Sequence, residues 1–497
     1  MEEIATNVDT IKKLKIGKTG IDLWQIIAAV FFIGVFFIPF NAYDGPDFLG
    51  EMQNEAAVIF FFIAFVLICI AAIVNKKLYI PYNNLIFQLV VLFFIWLIIA
   101  TLLNSSNIAG YYFKKTSGAE RFLRQYISLF ISGGMFFITY YNIFRRYTNE
   151  RLFFKLRKVL LYSLVIVSIY GFLEILVVKF KIFQVYYLLG LFEYFPFTKV
   201  YLDFNLNRIS SVTFEPPALA TYLFTIAGWM FSYIITEKGF KKYIPAIAVV
   251  LLAFFSESRA GMFVMLVLVF IFFLLLVVNR RFHQTFIKIV LVGMVGITIV
   301  SVVKGKKLVE FVIDKTTSFS VDKGQHSISN KSRFGLQYAM FKTFQEFPIS
   351  GVGFGQQVYE AKKYYPIWST RNNWEFQFKY LNKDDPRFPP GYNVYLRLLA
   401  ESGIIGFLIF TVLLFLIIYT CVVLFRRNTK DNLIIGVILI SMIGFYLNWL
   451  KADTFRVFGF WMNLAFLIKI MNNTKFIYRK KRNRKILKYD LKKQFGK

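Results

Sequence analysis

Long apolar runs constrain this chain more than any other feature of its sequence. A helix needs about 17–25 mainly apolar residues to cross roughly 30 Å of hydrocarbon, and twelve runs approach or reach this length. They lie near residues 22–40, 56–75, 83–103, 122–144, 156–178, 216–235, 243–257, 260–278, 285–303, 403–425, 433–450 and 456–471. The seventh and eighth runs meet at residues 256–259, so they form either a helical hairpin or one broken helix. The pattern predicts an all-α polytopic membrane protein with about twelve transmembrane helices.

Lysine and arginine collect at alternate connections between these runs, as cytoplasmic loops of membrane proteins do. The basic connections contain Lys76–Lys77, Arg145 to Lys158, Lys238 with Lys241–Lys242, Arg280–Arg281, and Arg426–Arg427 with Lys430. The opposite set begins with DGPDFLGEMQNE, which has no Lys or Arg. Both termini are therefore expected in the cytoplasm. We expect nine spans over residues 1–303, one large outer loop over 304–402, three spans over 403–471 and a basic tail over 472–497.

The net charge of +31 would suggest nucleic-acid binding in a soluble protein. However, 57% of the residues are hydrophobic, more than a soluble chain usually carries. The densest basic run, YRKKRNRK, follows the last apolar run, where it suits anionic lipid headgroups. Cys69 and Cys421 both lie inside apolar runs, so neither a disulfide framework nor a thiolate metal cluster is predicted. No nucleic-acid partner is expected.

The long outer stretch from Lys304 to Glu401 is where the sequence departs from the membrane pattern. It holds fifteen Lys and Arg residues against nine Asp and Glu residues, although cations are disfavoured on the translocated side. This surplus indicates either an anionic substrate at the outer surface or ordinary solvated lysines.

Glu215 and Arg259 stand at predicted helix starts near the outer surface. Glu215 precedes Pro216 and Pro217 in TFEPPALA, so it is either an N-terminal cap or a carboxylate available for proton transfer. Arg208 lies seven residues upstream and is placed to pair with Glu215 or to bind substrate. Arg259 begins the eighth run, where it either extends to the lipid headgroups or binds phosphate through its planar guanidinium.

Further candidates lie in the large loop and at its end. Ser332 to Phe347 predicts a short amphipathic helix with Ser332 as cap and Arg333 in the first turn, stopped by Pro348. Tyr392 and Asn393 fall at the next helix start. Arg397 and Glu401 follow at a four-residue spacing, which places them on one helix face as an ion pair or as substrate ligands.

Metal binding has little support in the sequence. His283 and His326 are predicted on opposite sides of the membrane, and the acidic residues of the outer loops are typical of turns. We predict no metal site.

The order of four motifs resembles the O-antigen polymerase and O-antigen ligase superfamily of bacterial envelope enzymes. The motifs are FEP before a span, SRAG at a helix start, SRFG followed by PISGVGFG in one large outer loop, and YNVYLRLLAESGIIG entering the next span. The resemblance covers about residues 208–406.

This resemblance implies a GT-C-like membrane glycosyltransferase in the bacterial inner membrane that needs neither a metal ion nor another cofactor. The donor would be a glycan on undecaprenyl diphosphate, attacked at the periplasmic face by a sugar hydroxyl of the acceptor. Arg259 and Arg333 match the family's candidate ligands of the diphosphate. A flippase and a chain-length regulator would be pathway partners.

One departure from the family pattern favours polymerase over ligase. Ligases place His-Asn where this chain has Tyr392-Asn393, and that histidine is thought to be the base. A tyrosine with an ordinary pKa near 10 is a poor base at neutral pH. We therefore expect Glu215 to take the proton while Tyr392 and Asn393 orient a sugar.

Two alternatives stay open on the sequence. The first is a ligase that transfers finished glycan to lipid A core or another acceptor. The second is a transporter or lipid flippase, for which twelve spans would be ordinary, although no two related halves are visible.

Overall fold

The computed structural model describes residues 15–16, 21–204, 207–278, 282–291, 327–427 and 430–473. Its helices are α1 Leu23–Phe36, α2 Ala56–Asn75, α3 Leu85–Leu103, α4 Ser105–Gly110, α5 Gly118–Phe130, α6 Phe136–Phe144, α7 Asn149–Val178, α8 Tyr186–Gly190, α9 Pro216–Thr236, α10 Ile244–Phe255, α11 Arg259–Val278, α12 283–291, α13 Ser327–Glu346, α14 Gln357–Ala361, α15 Ile367–Thr370, α16 Val394–Arg426, α17 Asn432–Asn448 and α18 458–473.

Strands are almost absent from the described part of the chain. Two hairpins of two-residue strands occur, pairing β1 Lys15–Ile16 with β2 Ile21–Asp22, and β3 Tyr112–Phe113 with β4 Thr116–Ser117. Short 3₁₀ turns cover Asp47–Met52, Phe183–Val185, Leu191–Tyr194, Phe240–Tyr243 and Lys362–Tyr364, and π turns cover Ile131–Met135 and Glu375–Tyr380.

The all-α polytopic class is confirmed. Seven helical stretches of the described residues are long and apolar enough to cross a membrane, namely Ala56–Asn75, Leu85–Leu103, Gly118–Phe144, Asn149–Val178, Pro216–Thr236, Arg259–Val278 and Val394–Arg426. Shorter apolar helices, α1 and α17 among them, accompany these. Only 33% of the apolar stretch of α2 is buried, against 78% for α9. The exposed apolar surface of α2 is what a lipid-facing helix presents, and α9 is a central helix of the bundle.

The seventh and eighth apolar runs are two separate helices. Helix α10 ends at Phe255 and α11 begins at Arg259, and Glu257 between them adopts a left-handed backbone with φ of 48°. Gly261 at the start of α11 packs against Ala220 near the start of α9. This connection therefore brings Arg259 close to the N-terminal end of α9.

One predicted helix start differs from the structure and another agrees with it. Helix α13 begins at Ser327, so Ser332 is a buried interior residue rather than a cap and Arg333 lies in the second turn. The first turn of α13 is polar in sequence, so hydropathy alone does not assign it to a helix. Helix α16 begins at Val394 with Asn393 as its cap, as predicted, and the backbone of Gly403 departs from helical geometry where the apolar run begins. Residues 292–326 and the tail from 474 onward, including parts of the ninth run and the large loop, lie outside the described residues.

The PISGVGFG motif is held against α16 by its backbone. Val352 donates to the carbonyl oxygen of Ala400 and Gly353 donates to that of Glu401, both at 2.9 Å. This close approach needs Gly403, whose φ is 63° and whose added Cβ would lie 2.1 Å from the carbonyl oxygen of Ile349. The described part of the large loop and the start of α16 therefore pack against each other.

Candidate functional site

Four cations, a glutamate and a tyrosine from distant parts of the chain interact electrostatically around Glu215, which precedes α9. We call this group the cationic cleft, and it consists of Arg208, Glu215, Arg259, Arg333, Tyr392 and Lys451. Five of the six were singled out in the sequence. Lys451, in the turn after α17, was not.

Glu215 occupies the N-cap position of α9, with an extended backbone followed by Pro216 and Pro217. Its backbone carbonyl accepts from Ala218 at 3.0 Å, but its carboxylate makes no capping hydrogen bond to the helix. The carboxylate is therefore not used as a cap, and the second interpretation, a group available for chemistry, is favoured.

The carboxylate of Glu215 is accessible to solvent and has charged neighbours. Its side chain is exposed to solvent, yet enough protein surrounds it that burial raises its pKa, while the positive charges of Lys451, Arg333 and Arg208 act in the opposite direction. The side chain is therefore not enclosed by the surrounding protein. Substrate can reach such a group.

Glu174 fixes the segment that leads to Glu215. This residue of α7 is fully buried, and its carboxylate accepts from the backbone N–H of Ser210 at 3.1 Å and of Ser211 at 2.7 Å. Phe214 donates its N–H to the side-chain oxygen of Asn41 at 3.1 Å. The sequence signal for Glu174 was a single acidic residue inside an apolar run, which membrane proteins keep for a specific partner.

The three arginines of the cleft differ in how their donors are used. Arg208 forms an ion pair with Asp203 at 3.1 Å, and Arg259 donates to the side-chain oxygen of Asn330 at 3.1 Å. The Nε of Arg333 is buried without a hydrogen-bond partner among the described residues. Its guanidinium lies 5.1 Å from the ring centre of Tyr392. Arg333 thus holds an unused donor directed into the protein, which an anion would satisfy.

Tyr392 and Asn393 have different surroundings. The hydroxyl of Tyr392 hydrogen-bonds that of Tyr380 at 2.9 Å, and burial raises its pKa, which makes it a poor base at neutral pH. Asn393 caps α16 by accepting from the N–H of Leu396 at 3.1 Å, and it donates to the carbonyl of Leu450 at 3.4 Å. The side chain of Asn393 therefore caps α16 and links it to the turn after α17.

Arg397 and Glu401 form the intrahelical pair that their spacing predicts. Nε of Arg397 lies 3.0 Å from Glu401, and both side chains are buried. Arg397 also donates to the carbonyl of Asp453 at 2.7 Å and to the side chain of Gln125 at 3.1 Å. These contacts favour a structural role in tying α5, α16 and the turn after α17 together.

Breaking that buried pair should destabilise the protein strongly. We expect Glu401→Gln to lower the free energy of unfolding by about 3–5 kcal/mol, because it leaves the charge of Arg397 buried without its partner. Glu120→Gln is the matched control, since Glu120 and Arg124 form a solvent-exposed pair four residues apart and such pairs contribute about 0.5 kcal/mol or less. Thermal unfolding of both variants in detergent tests this. Equal shifts would contradict the structural role.

The described residues contain no group of three or more His, Cys, Asp or Glu side chains placed to hold a metal ion. The charge in the cleft is supplied by Arg and Lys side chains. Such a set suits phosphate or another anion.

Comparison with known protein families found one match. Residues 244–411 match the family model described as O-antigen ligase. The match contains Arg259, Arg333 and Tyr392, whereas Arg208, Glu215 and Lys451 lie outside it. No curated protein matches the chain.

Proposed function

We propose that the chain acts as a member of the O-antigen polymerase and ligase superfamily, as the match of residues 244–411 to the family model supports, and that it polymerises lipid-linked oligosaccharide repeat units. The donor is a repeat unit or growing glycan on undecaprenyl diphosphate, and the acceptor is a second lipid-linked unit. The cationic cleft carries the proposal, because it joins an accessible carboxylate to several guanidinium groups.

The chemistry follows from these groups. The bond between the anomeric carbon of the donor and the diphosphate oxygen breaks, and a bond forms from that carbon to an acceptor hydroxyl. Glu215 takes the hydroxyl proton as general base. Arg259 and Arg333 stabilise the negative charge that develops on the leaving diphosphate. Tyr392 orients sugar beside Glu215, and no metal ion is required.

The side of the membrane follows from the basic connections. We place both termini in the cytoplasm of a bacterial cell, the protein in its inner membrane, and the cleft at the periplasmic face. A flippase would supply the substrate on that face, and a chain-length regulator is a further pathway partner. The basic tail would contact anionic lipids.

A ligase is the second candidate, because the matching family model carries that description. A ligase would use the same donor and leaving group but a different acceptor, such as lipid A core. Polymerase is favoured by Tyr392 at the position where ligases of the superfamily have histidine.

Deletion of the gene distinguishes the two. For a polymerase we expect the ladder of long glycans to disappear and single repeat units to remain, as seen by gel electrophoresis of envelope glycans. A long polymer that persists on undecaprenyl diphosphate in the deletion strain would instead indicate a ligase.

A further inference from the structure

Lys451 is a buried cation for which the residue pattern gave no role. It lies in the turn between α17 and α18, and its ammonium nitrogen is shielded from solvent without a hydrogen-bond partner among the described residues. The ammonium lies over the ring of Phe224, 5.4 Å from the ring centre, a cation–π contact that uses none of its N–H donors in a hydrogen bond. An ammonium has three donors, and leaving them unused in a buried place is costly. A hydrogen-bond acceptor beside this ammonium would therefore be stabilising.

The turn that carries Lys451 is held rigidly by the start of α16. Val394 donates its N–H toward the carbonyls of Trp449 at 2.9 Å and Ala452 at 3.0 Å, and the side chain of Asn393 donates to Leu450 at 3.4 Å. The backbone of the turn that carries Lys451 is thus positioned by the residues at the start of α16.

The charged groups that interact with Lys451 do not balance its charge and that of Arg333. Glu215 lies before α9 and Arg333 lies on α13, and both interact electrostatically with Lys451. Asp453 of the same turn is engaged by the N–H of Gly391 at 2.6 Å. Glu215 thus supplies one negative charge beside two positive charges, those of Arg333 and Lys451. Both cations have buried donors without a hydrogen-bond partner among the described residues.

We propose that Lys451 binds the diphosphate group of the lipid-linked substrate together with Arg333. This assignment rests on the proposed function and adds a ligand from outside the stretch matched by the family model. Asn393 is then a positioning residue that acts through the turn rather than on the sugar.

A pH dependence follows from this assignment. The pKa of Lys451 is lowered to about 8, chiefly by burial. The positive charge of Arg333 also lowers this pKa, and the negative charge of Glu215 acts in the opposite direction. A bound diphosphate favours the charged ammonium and raises that pKa. Binding above pH 8 therefore requires uptake of a proton, and affinity falls as the pH rises.

The experiment measures binding of P1,P2-dioctyl diphosphate to the full-length protein in nanodiscs between pH 7 and pH 9. Both remaining acid groups of this probe are strong, so its own charge stays constant. We expect the Kd of the wild type to rise about tenfold over this range. Lys451→Arg should remove the dependence, since a guanidinium stays protonated, and Lys451→Met should bind weakly at both pH values.

Lys469→Arg is the matched control. Lys469 is another buried lysine, but its ammonium is already hydrogen-bonded to Asn149, so this variant should keep the wild-type slope. The assignment would be overturned if the Kd of Lys451→Arg rose with pH as steeply as that of the wild type. It would also be overturned if the Kd of the wild type did not change with pH. Equal binding of dioctyl monophosphate would overturn it too, because the site would then suit any lipid phosphate.

The outcome is separable from that of the proposed function. If the slope depends on Lys451 but no glycosidic bond is formed by the protein, the diphosphate site stands and the polymerase fails. If polymer is formed but Lys451 has no effect on diphosphate binding, the polymerase stands and the assignment of Lys451 fails. Thermal unfolding of each variant shows whether it is folded.

Discussion

Glu215→Gln should abolish polymer formation while the protein still folds and inserts. The amide keeps the shape of the side chain but cannot accept the acceptor's proton, and loss of a general base costs about 10²–10⁴-fold in turnover. Because its carboxylate makes no capping hydrogen bond to α9, the substitution removes no helix cap. The measurement is turnover of purified protein on lipid-linked repeat units.

Glu346→Gln is the matched control for that experiment, since Glu346 is an exposed residue of α13. It should retain activity. Burial raises the pKa of Glu215, so the acidic limb of the wild-type pH profile should lie above the ordinary glutamate value and rise with pH as the carboxylate ionises. Long-chain product from Glu215→Gln would exclude Glu215 as the base.

Arg333→Lys should reduce turnover by about 10²–10³-fold, and Arg259→Lys by a similar factor. Each variant keeps a positive charge but loses the planar fork that binds two phosphate oxygens, and removal of one charge-stabilising donor has an effect of this size. Within that range we expect the larger loss of turnover for Arg333→Lys. The Nε of Arg333 has no hydrogen-bond partner among the described residues, whereas Arg259 also donates to Asn330.

Arg371→Lys provides the control, since Arg371 is exposed at the end of α15. Kinetics over a range of donor concentrations separate the contribution of each arginine to leaving-group stabilisation from its contribution to donor binding. A loss confined to kcat indicates stabilisation of the leaving group, and a rise confined to KM indicates donor binding alone. Full activity of both cleft variants would contradict the assignment of the anion site.

Hydropathy was sufficient to predict the class of fold, because crossing a bilayer imposes one length and one composition on every span. It did not find the start of α13 at Ser327, because the first turn of that helix is polar in sequence. The start of α16 at Val394 was predicted instead from the position of Tyr392 and Asn393.

The cationic cleft was predicted in part. Glu215 and Arg259 were visible because a charged residue beside a span is unusual. Arg397 and Glu401 lie outside the cleft, and their pairing was visible because four residues separate them. Lys451 was not predictable, since a single lysine in a short turn between two apolar runs has no spacing that distinguishes it from a solvated lysine. Only the fold shows that its ammonium is enclosed beside Arg333 and Glu215.

The most direct test of the account is reconstitution of the purified protein in liposomes with undecaprenyl-diphosphate-linked repeat units and no other protein. We predict a ladder of glycans lengthened by one repeat unit at a time, with one undecaprenyl diphosphate released for each bond formed, and the same ladder in the presence of EDTA. Movement of the glycolipid between leaflets without any new glycosidic bond would contradict the account and indicate a transporter.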